Sequence, residues 1–249
     1  MTKSIRVHIE RYRVTSYLVN LRGRAGLYSV LNFIQDVGWM HAQELQIVLP
    51  QNQGWVFTRQ KLEMTDWPAW NQEIQIRTWL RRPSGPFIFR DYEIARGPEV
   101  IGRCTSTFAA MDLSTRKLAS QDWDAYAHAW RGEDTFTEVP QKLEWREGGD
   151  FLGRIQVRNS DIDLNEHVNN AKYAQWILDS IPMEILKGGL DLCAYEVNFL
   201  AESRLGDEIE VRHHELSPSE SIQTVTQFQG TFPGTQKPVF TARLTAKRS

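Results

Sequence analysis

Cysteine is scarce in this chain: its 249 residues hold only Cys104 and Cys193, far apart and in no CxxC pair. Two separated thiols make no disulfide framework, so a reducing compartment is expected. Long hydrophobic runs are missing too, and no stretch approaches the roughly 18 apolar residues of a membrane span. The opening run MTKSIRVHIERYRV has neither the apolar centre of a signal peptide nor the Arg/Ser bias of a transit peptide. A soluble, cytoplasmic protein is the expectation. Charge of one sign is not in excess: 29 basic against 31 acidic side chains leave a formal −2. That balance offers no electrostatic footprint for nucleic acid or an anionic membrane. Several chemical signatures are absent as well. The lack of a G-x-S-x-G elbow, a Walker loop and a dinucleotide glycine fingerprint argues against a serine α/β-hydrolase and a nucleotide cofactor. His213 and His214 would face opposite sides of a strand, and no His/Cys/carboxylate cluster has zinc spacing, so neither metal nor cofactor is expected.

What is present is a globular composition, 41% hydrophobic and 24% charged, arranged in a pattern that occurs twice. Arg6 to Tyr17 reads as extended. Leu27, Val30, Leu31 and Ile34 then keep the i, i+3, i+4, i+7 spacing of a buried helical face. Glu73 to Arg77 alternates like a half-buried strand, and Phe87 to Ile94 and Glu99 to Met111 read as further strands. The second half repeats the order. Arg154 to Arg158 is extended, and a helix carries Tyr173, Trp176, Ile177 and Ile181 on one stripe. Strand-like runs follow at Leu192 to Leu200, Asp207 to His213, Ser221 to Phe228 and Val239 to Ala246. Superimposing Phe33–Asp36 on Trp176–Asp179 gives an offset of 143 residues, and matching Glu73-Ile74 to Glu208-Ile209 gives 135. The chain therefore reads as an α+β duplication. The halves, residues 1–113 and 151–249, are joined by an acidic linker, 114–150, with a short helix near Trp123 to Trp130.

One segment carries chemistry. Between Asp161 and Tyr173 polar residues crowd into the junction ahead of the second helix. Asn169 and its neighbours are good N-caps, which accounts for part of that crowding. Asp163, Asn165 and His167 alternate, so an extended chain would turn all three to one face. They precede a helix start whose N–H groups suit a developing oxyanion. At the 143-residue offset the first half has Asn20, Arg22 and Arg24 instead, so only one half is equipped for catalysis.

The run Asp163-Leu164-Asn165-Glu166-His167-Val168-Asn169-Asn170-Ala171-Lys172-Tyr173-Ala174-Gln175-Trp176 resembles the signature of acyl-ACP thioesterases of the plant and bacterial type. The resemblance implies two tandem hotdog domains, each a long helix against a curved antiparallel sheet, with the active site in the second. It places catalytic roles on Asp163, Asn165, His167 and, downstream, Glu202 in Phe199-Leu200-Ala201-Glu202-Ser203. Plant members often carry Cys at the next position. Ser203 stands there here, so a thiol nucleophile is ruled out and water attack is favoured. The implied reaction is hydrolysis of a fatty acyl thioester on acyl carrier protein. His167 and Glu202 would activate water, Asn165 and N–H groups near Asn169 would hold water or oxyanion, and Asp163 would orient its neighbours. An acyl-CoA thioesterase, a hotdog 3-hydroxyacyl dehydratase and a non-catalytic acyl-binding protein are the alternatives.

The resemblance further implies that the first half shapes the acyl-chain tunnel, to which Leu31, Ile34 and Val37 could contribute instead of the core. Most of Trp39, Trp55, Trp67, Trp70 and Trp79 are expected in core packing. Arg81-Arg82 is expected on a solvated hairpin loop, where arginines could steer an acidic carrier protein. Tandem domains already form the pair that single hotdogs make by dimerising, which leaves a homodimer open.

Overall fold

The computed structural model describes residues 6–47, 49–119, 121–136, 138–217 and 221–247. The first half runs β1 (His8–Arg13), α1 (Leu27–Leu45), β2 (Gln53–Met64), β3 (Glu73–Leu80), β4 (Phe87–Arg96) and β5 (Glu99–Asp112). The second runs β6 (Asp150–Gln156), α2 (Asn170–Asp179), α3 (Met183–Gly189), β7 (Asp191–Phe199), β8 (Glu208–Glu215), β9 (Gln223–Thr231) and β10 (Pro238–Lys247). The ten strands form one sheet in the order β1-β3-β4-β5-β2-β7-β10-β9-β8-β6, and every neighbouring pair is antiparallel. Five strands of one half thus meet their counterparts in mirrored order at the β2–β7 seam. Both offsets are built into the pairing. Tyr12 lies opposite Ile74, and Ile155, 143 residues after Tyr12, lies opposite Ile209, 135 after Ile74.

The periodic residues do what their spacing predicts. Leu27, Val30, Leu31, Ile34 and Val37 on α1 and Tyr173, Trp176 and Ile177 on α2 are buried in one apolar cluster with Ile74, Ile76, Val197 and Phe240 from the sheet. Leu31, Ile34 and Val37 are therefore core residues. The second helix, however, is not one long element. It stops at Asp179, and α3 starts after Pro182, which lacks an N–H and would clash with the carbonyl four residues back. Ile181 lies between the two pieces and packs against the core from there. β2 gave no clear strand signal because Thr58-Arg59-Gln60-Lys61 breaks its apolar alternation; it lies inside the sheet, between β5 and β7.

The polar residues on the sheet's other face are covered by the segment between the halves. Asn198 Oδ1 accepts from the Leu143 N–H at 2.6 Å, and Gln227 donates to the Glu144 carbonyl at 2.8 Å. Gln229 both accepts from the Arg146 N–H and donates to the Arg146 carbonyl, at 3.2 and 3.1 Å. Its short helix is a 3-10 turn, Trp123–Ala129, stacked by Trp123 on Trp55.

Two expectations fail here. Trp39, Trp55 and Trp70 are exposed by 59%, 38% and 64%; of the five, only Trp79 is fully buried, and Trp67 is half-buried. Arg81 is no solvated loop residue either. It is buried, with Nε 2.9 Å from Asp134 and 3.9 Å from Asp91. Asp91 is fully enclosed, and burial raises its pKa, while the Thr105 hydroxyl and the Thr135 N–H donate to it. Asp91→Ala is expected to cost about 3 kcal/mol in urea unfolding at neutral pH, because Arg81, Thr105 and Thr135 lose a buried acceptor together.

Among the described residues no helix is long and apolar enough to cross a membrane.

Candidate active site

The segment carrying Asp163, Asn165 and His167 is a closed turn, not an extended strand. Ile162 and Val168 pair across its base, and the Asp163 N–H donates to the His167 carbonyl at 2.8 Å. The Asp163 carboxylate accepts from the N–H groups of Asn165 and His167 at 2.8 and 3.4 Å. Glu166 takes a left-handed conformation, φ 61°, to complete the turn. Aspartate followed by polar residues favours such a turn because its side chain satisfies backbone donors that a strand would leave unpaired. Asp163, Asn165 and His167 therefore do not share the face of a strand, although the turn still brings His167 beside Glu202. Asn165 sits exposed at the tip beside Leu164.

Glu202 arrives on the connection between β7 and β8. That connection is stitched to the turn by the Val168 N–H, which donates to the Ser203 carbonyl at 2.9 Å. Glu202 Oε2 consequently lies 3.5 Å from His167 Nε2, both side chains about one-third exposed. Two guanidiniums that motif reading missed complete the cluster. Arg204 Nη2 is 3.1 Å from His167 Nε2 and 3.8 Å from Glu202. Arg116 Nη2 is 3.0 Å from the other Glu202 oxygen. Arginine can only donate, so its contact puts a lone pair on His167 Nε2 and the ring proton on Nδ1.

Arg116 comes from the start of the joining segment. It sits on the turn after β5 with φ 57°, and its N–H donates to the Asp112 carbonyl at 2.9 Å. The Asp112 carboxylate accepts from the Ser114 hydroxyl and from the Ser114 and Thr115 N–H groups. The Ser114 hydroxyl first, then the Thr115 N–H, pull the Asp112 pKa down to about 2. A depressed carboxylate contributes to the turn above its ordinary value and loses that contribution only as pH falls through about 2. The turn thus stays capped at any working pH. Arg116→Ala is expected to lower kcat/KM for the thioester by about tenfold, since it frees Glu202 from one anchor. An exposed ion pair is worth at most about 1 kcal/mol, so thermal unfolding should barely move. An unchanged kcat/KM would show that Glu202 needs no anchor from the joining segment.

Ser203 is fully buried, and the Tyr173 hydroxyl donates to its Oγ at 3.3 Å. Burial pushes the Tyr173 phenol up to about 12, and its ring packs against Trp176, Phe199 and Phe240. Ser203 is thus turned into the core against Tyr173. Three of the N–H groups near Asn169 are already paired. The Asn169 N–H donates to the Asp161 carbonyl, the Val168 N–H to Ser203, and the Ala171 N–H to the Asn169 side chain. The contacts that start α2 occupy those three amides.

The first half holds the same turn. Adding 143 to Val19, Asn20, Gly23 and Ala25 gives Ile162, Asp163, Glu166 and Val168, and the bridges, the side-chain bonds and the left-handed residue all coincide. Adding 135 to Trp67 gives Glu202, and the Ala25 N–H donates to the Pro68 carbonyl as the Val168 N–H does to Ser203. His167 and Glu202 are thereby replaced by Arg24 and Trp67.

Two models of one family match the chain, the acyl-ACP thioesterase N-terminal domain over residues 6–128 and the acyl-ACP thioesterase C-terminal domain over residues 147–236. The chain belongs to the acyl-ACP thioesterase family. It is 28% identical over 247 residues to oleoyl-acyl carrier protein thioesterase 2 of Arabidopsis thaliana, a match covering 89% of this chain and 66% of that one. To the oleoyl-acyl carrier protein thioesterase of Coriandrum sativum it is 30% identical over 201 residues, covering 71% and 54%. The chain therefore spans about half to two-thirds of the length of these relatives. In fold it matches the 12:0-ACP thioesterase of Umbellularia californica, with a TM-score of 0.86 at 19% identity over 98% of this chain and 94% of that one. An acyl-ACP thioesterase of Bacteroides thetaiotaomicron gives 0.84 at 23% identity, covering 98% and 99%. The α+β architecture is that of two tandem hotdog domains, as in this family, with the second helix split by Pro182.

Proposed function

We propose that this protein hydrolyses the thioester between a fatty acyl chain and acyl carrier protein, releasing free fatty acid and ending chain elongation. The observation that carries this reading is the 3.5 Å approach of His167 Nε2 to Glu202 Oε2 on a turn whose first-half copy lacks both groups. A water hydrogen-bonded to both attacks the acyl carbonyl as the pair takes its proton. The tetrahedral oxyanion is met by the Asn165 side chain and the guanidiniums of Arg116 and Arg204. Collapse breaks the C–S bond, and the proton held by the pair returns to the departing carrier thiolate. Asp163 acts through the turn it closes. No cofactor or metal enters these steps.

The catalytic groups belong to the second domain, 151–249, and we assign the acyl-chain pocket to the first, 1–113, with 114–150 joining them. Arg116, from that joining segment, reaches Glu202, so the site draws on a residue outside the second domain. Both cysteines are free, which accords with a reducing, cytoplasmic setting.

Thiol release from a panel of acyl-ACPs and matching acyl-CoAs, for wild type and His167→Ala, tests the reading. Hydrolysis favouring acyl-ACP and lost in the variant is expected. Turnover of CoA esters alone would move the substrate to acyl-CoA, and no turnover of either panel would overturn hydrolysis.

A further inference from the structure

A cleft lies beside the first-half turn, the copy in which Arg24 and Trp67 stand where His167 and Glu202 stand in the second. It opens between the turn Asn20–Arg24, the start of α1, α3 and the start of β7. Its wall is apolar: Leu27, Trp67, Leu178, Leu186, Leu190 and Leu192 line it. Trp67 Nε1 donates to the Leu192 carbonyl at 2.8 Å, fixing the indole across the boundary between halves. The mouth is cationic. Arg22 and Arg24 border it against Asp191, leaving one positive charge in excess. Arg22 Nη1 is 2.6 Å from Asp191 Oδ1, and Arg24 Nη1 is 2.7 Å from Asp66 Oδ1. Both guanidiniums are nearly half exposed, and these bonds run through single nitrogens of groups that carry five N–H donors each. A leucine-lined groove with two unsaturated guanidiniums at its mouth suits a ligand with a carboxylate head and an apolar tail.

We propose that this cleft is a second, non-catalytic site that binds a fatty acid, its carboxylate on Arg22 and Arg24 and its chain along Trp67, Leu186 and Leu190. Arg24 and Trp67 occupy the places of His167 and Glu202, so a ligand here meets no water-activating pair. The site holds product, not substrate. Naming a fatty acid agrees with the proposed hydrolysis, yet the match of head to cations and tail to leucines stands without it.

Photo-cross-linking with a diazirine-bearing fatty acid, followed by peptide mapping, tests the proposal on the full chain. Wild type is expected to be labelled within residues 20–27 or 178–192. Arg22→Glu, on an exposed turn, should cut that label about tenfold by removing one charge-assisted contact. Leu186→Trp, which fills the groove, should do the same without altering charge. Hydrolysis of acyl-ACP should be unchanged in both variants, and the label should appear even in a preparation that hydrolyses nothing, which separates this site from the catalytic one. Absence of label in both segments, or label indifferent to both variants, overturns the proposal. So does a chain that sediments as a dimer in wild type and as a monomer in Arg22→Glu, since the cleft would then belong to a second copy.

Discussion

His167→Ala and Glu202→Gln are each expected to lower kcat/KM for the proposed acyl-ACP hydrolysis by about a thousandfold, with little change in thermal unfolding. A thousandfold loss is about 4 kcal/mol of transition-state stabilisation, which is what removing a positioned proton acceptor costs. Glutamine keeps the length and one acceptor oxygen of Glu202 but cannot take a proton from water, so it separates the chemical role from the packing one. The fold should tolerate both changes. The pair is about one-third exposed and its ion pairs lie at the surface, where such contacts are worth at most about 1 kcal/mol. The double variant should be little worse than either single one, because His167 and Glu202 act as a unit on one water. Single-turnover thiol release measures all three. Near-normal turnover in Glu202→Gln would remove Glu202 from proton transfer. Multiplicative losses in the double variant would mean that the two side chains serve separate steps.

The parts of this protein legible from sequence are those in which local pattern and tertiary environment agree. Ile34 and Ile177 sit at matching places on two helices, and both are enclosed, because a 3.6-residue period is meaningful on one element alone. The turn at Asp163 was legible as a site but not as a shape. Residues alternating in type suggest a strand, yet Asp163 satisfies two backbone donors at once, and that local bond outweighs the extended form. Arg204 could have been suspected, since it follows Glu202 by two residues and Glu202 was already singled out. Arg116 could not. Its side chain reaches Glu202 only because β5 ends beside the other half and a left-handed turn aims it across the boundary, a relation with no trace in spacing. The exposed Trp39 and Trp70 fail for a related reason, since aromatic content does not say which side of an element a ring will occupy. The Gln227 and Gln229 bonds to the joining segment show the converse. Polar residues on strand faces that look solvated by pattern are buried once another part of the chain supplies their partners.

Comparison of the two turns separates what builds the site from what runs it. Asn20 closes the first-half turn through one side-chain oxygen, accepting from Arg22 and Arg24 at 2.9 and 3.3 Å, as Asp163 does from Asn165 and His167. An amide oxygen therefore suffices to hold this backbone. Asp163→Asn is accordingly expected to keep wild-type stability within about 0.5 kcal/mol, whereas Asp163→Ala loses about 1 kcal/mol with the two bonds. Activity should divide in the same way. With the turn intact, His167 stays opposite Glu202 and the asparagine variant loses less than about tenfold in kcat. With the turn open, the alanine variant loses about a hundredfold or more, since a displacement of about 1 Å at a positioned group costs on that order. If instead asparagine proves as damaging as alanine while unfolding at the same temperature as wild type, the charge of Asp163 contributes directly to the reaction. The first half would then have lost catalysis at Asn20 as well as at Arg24 and Trp67.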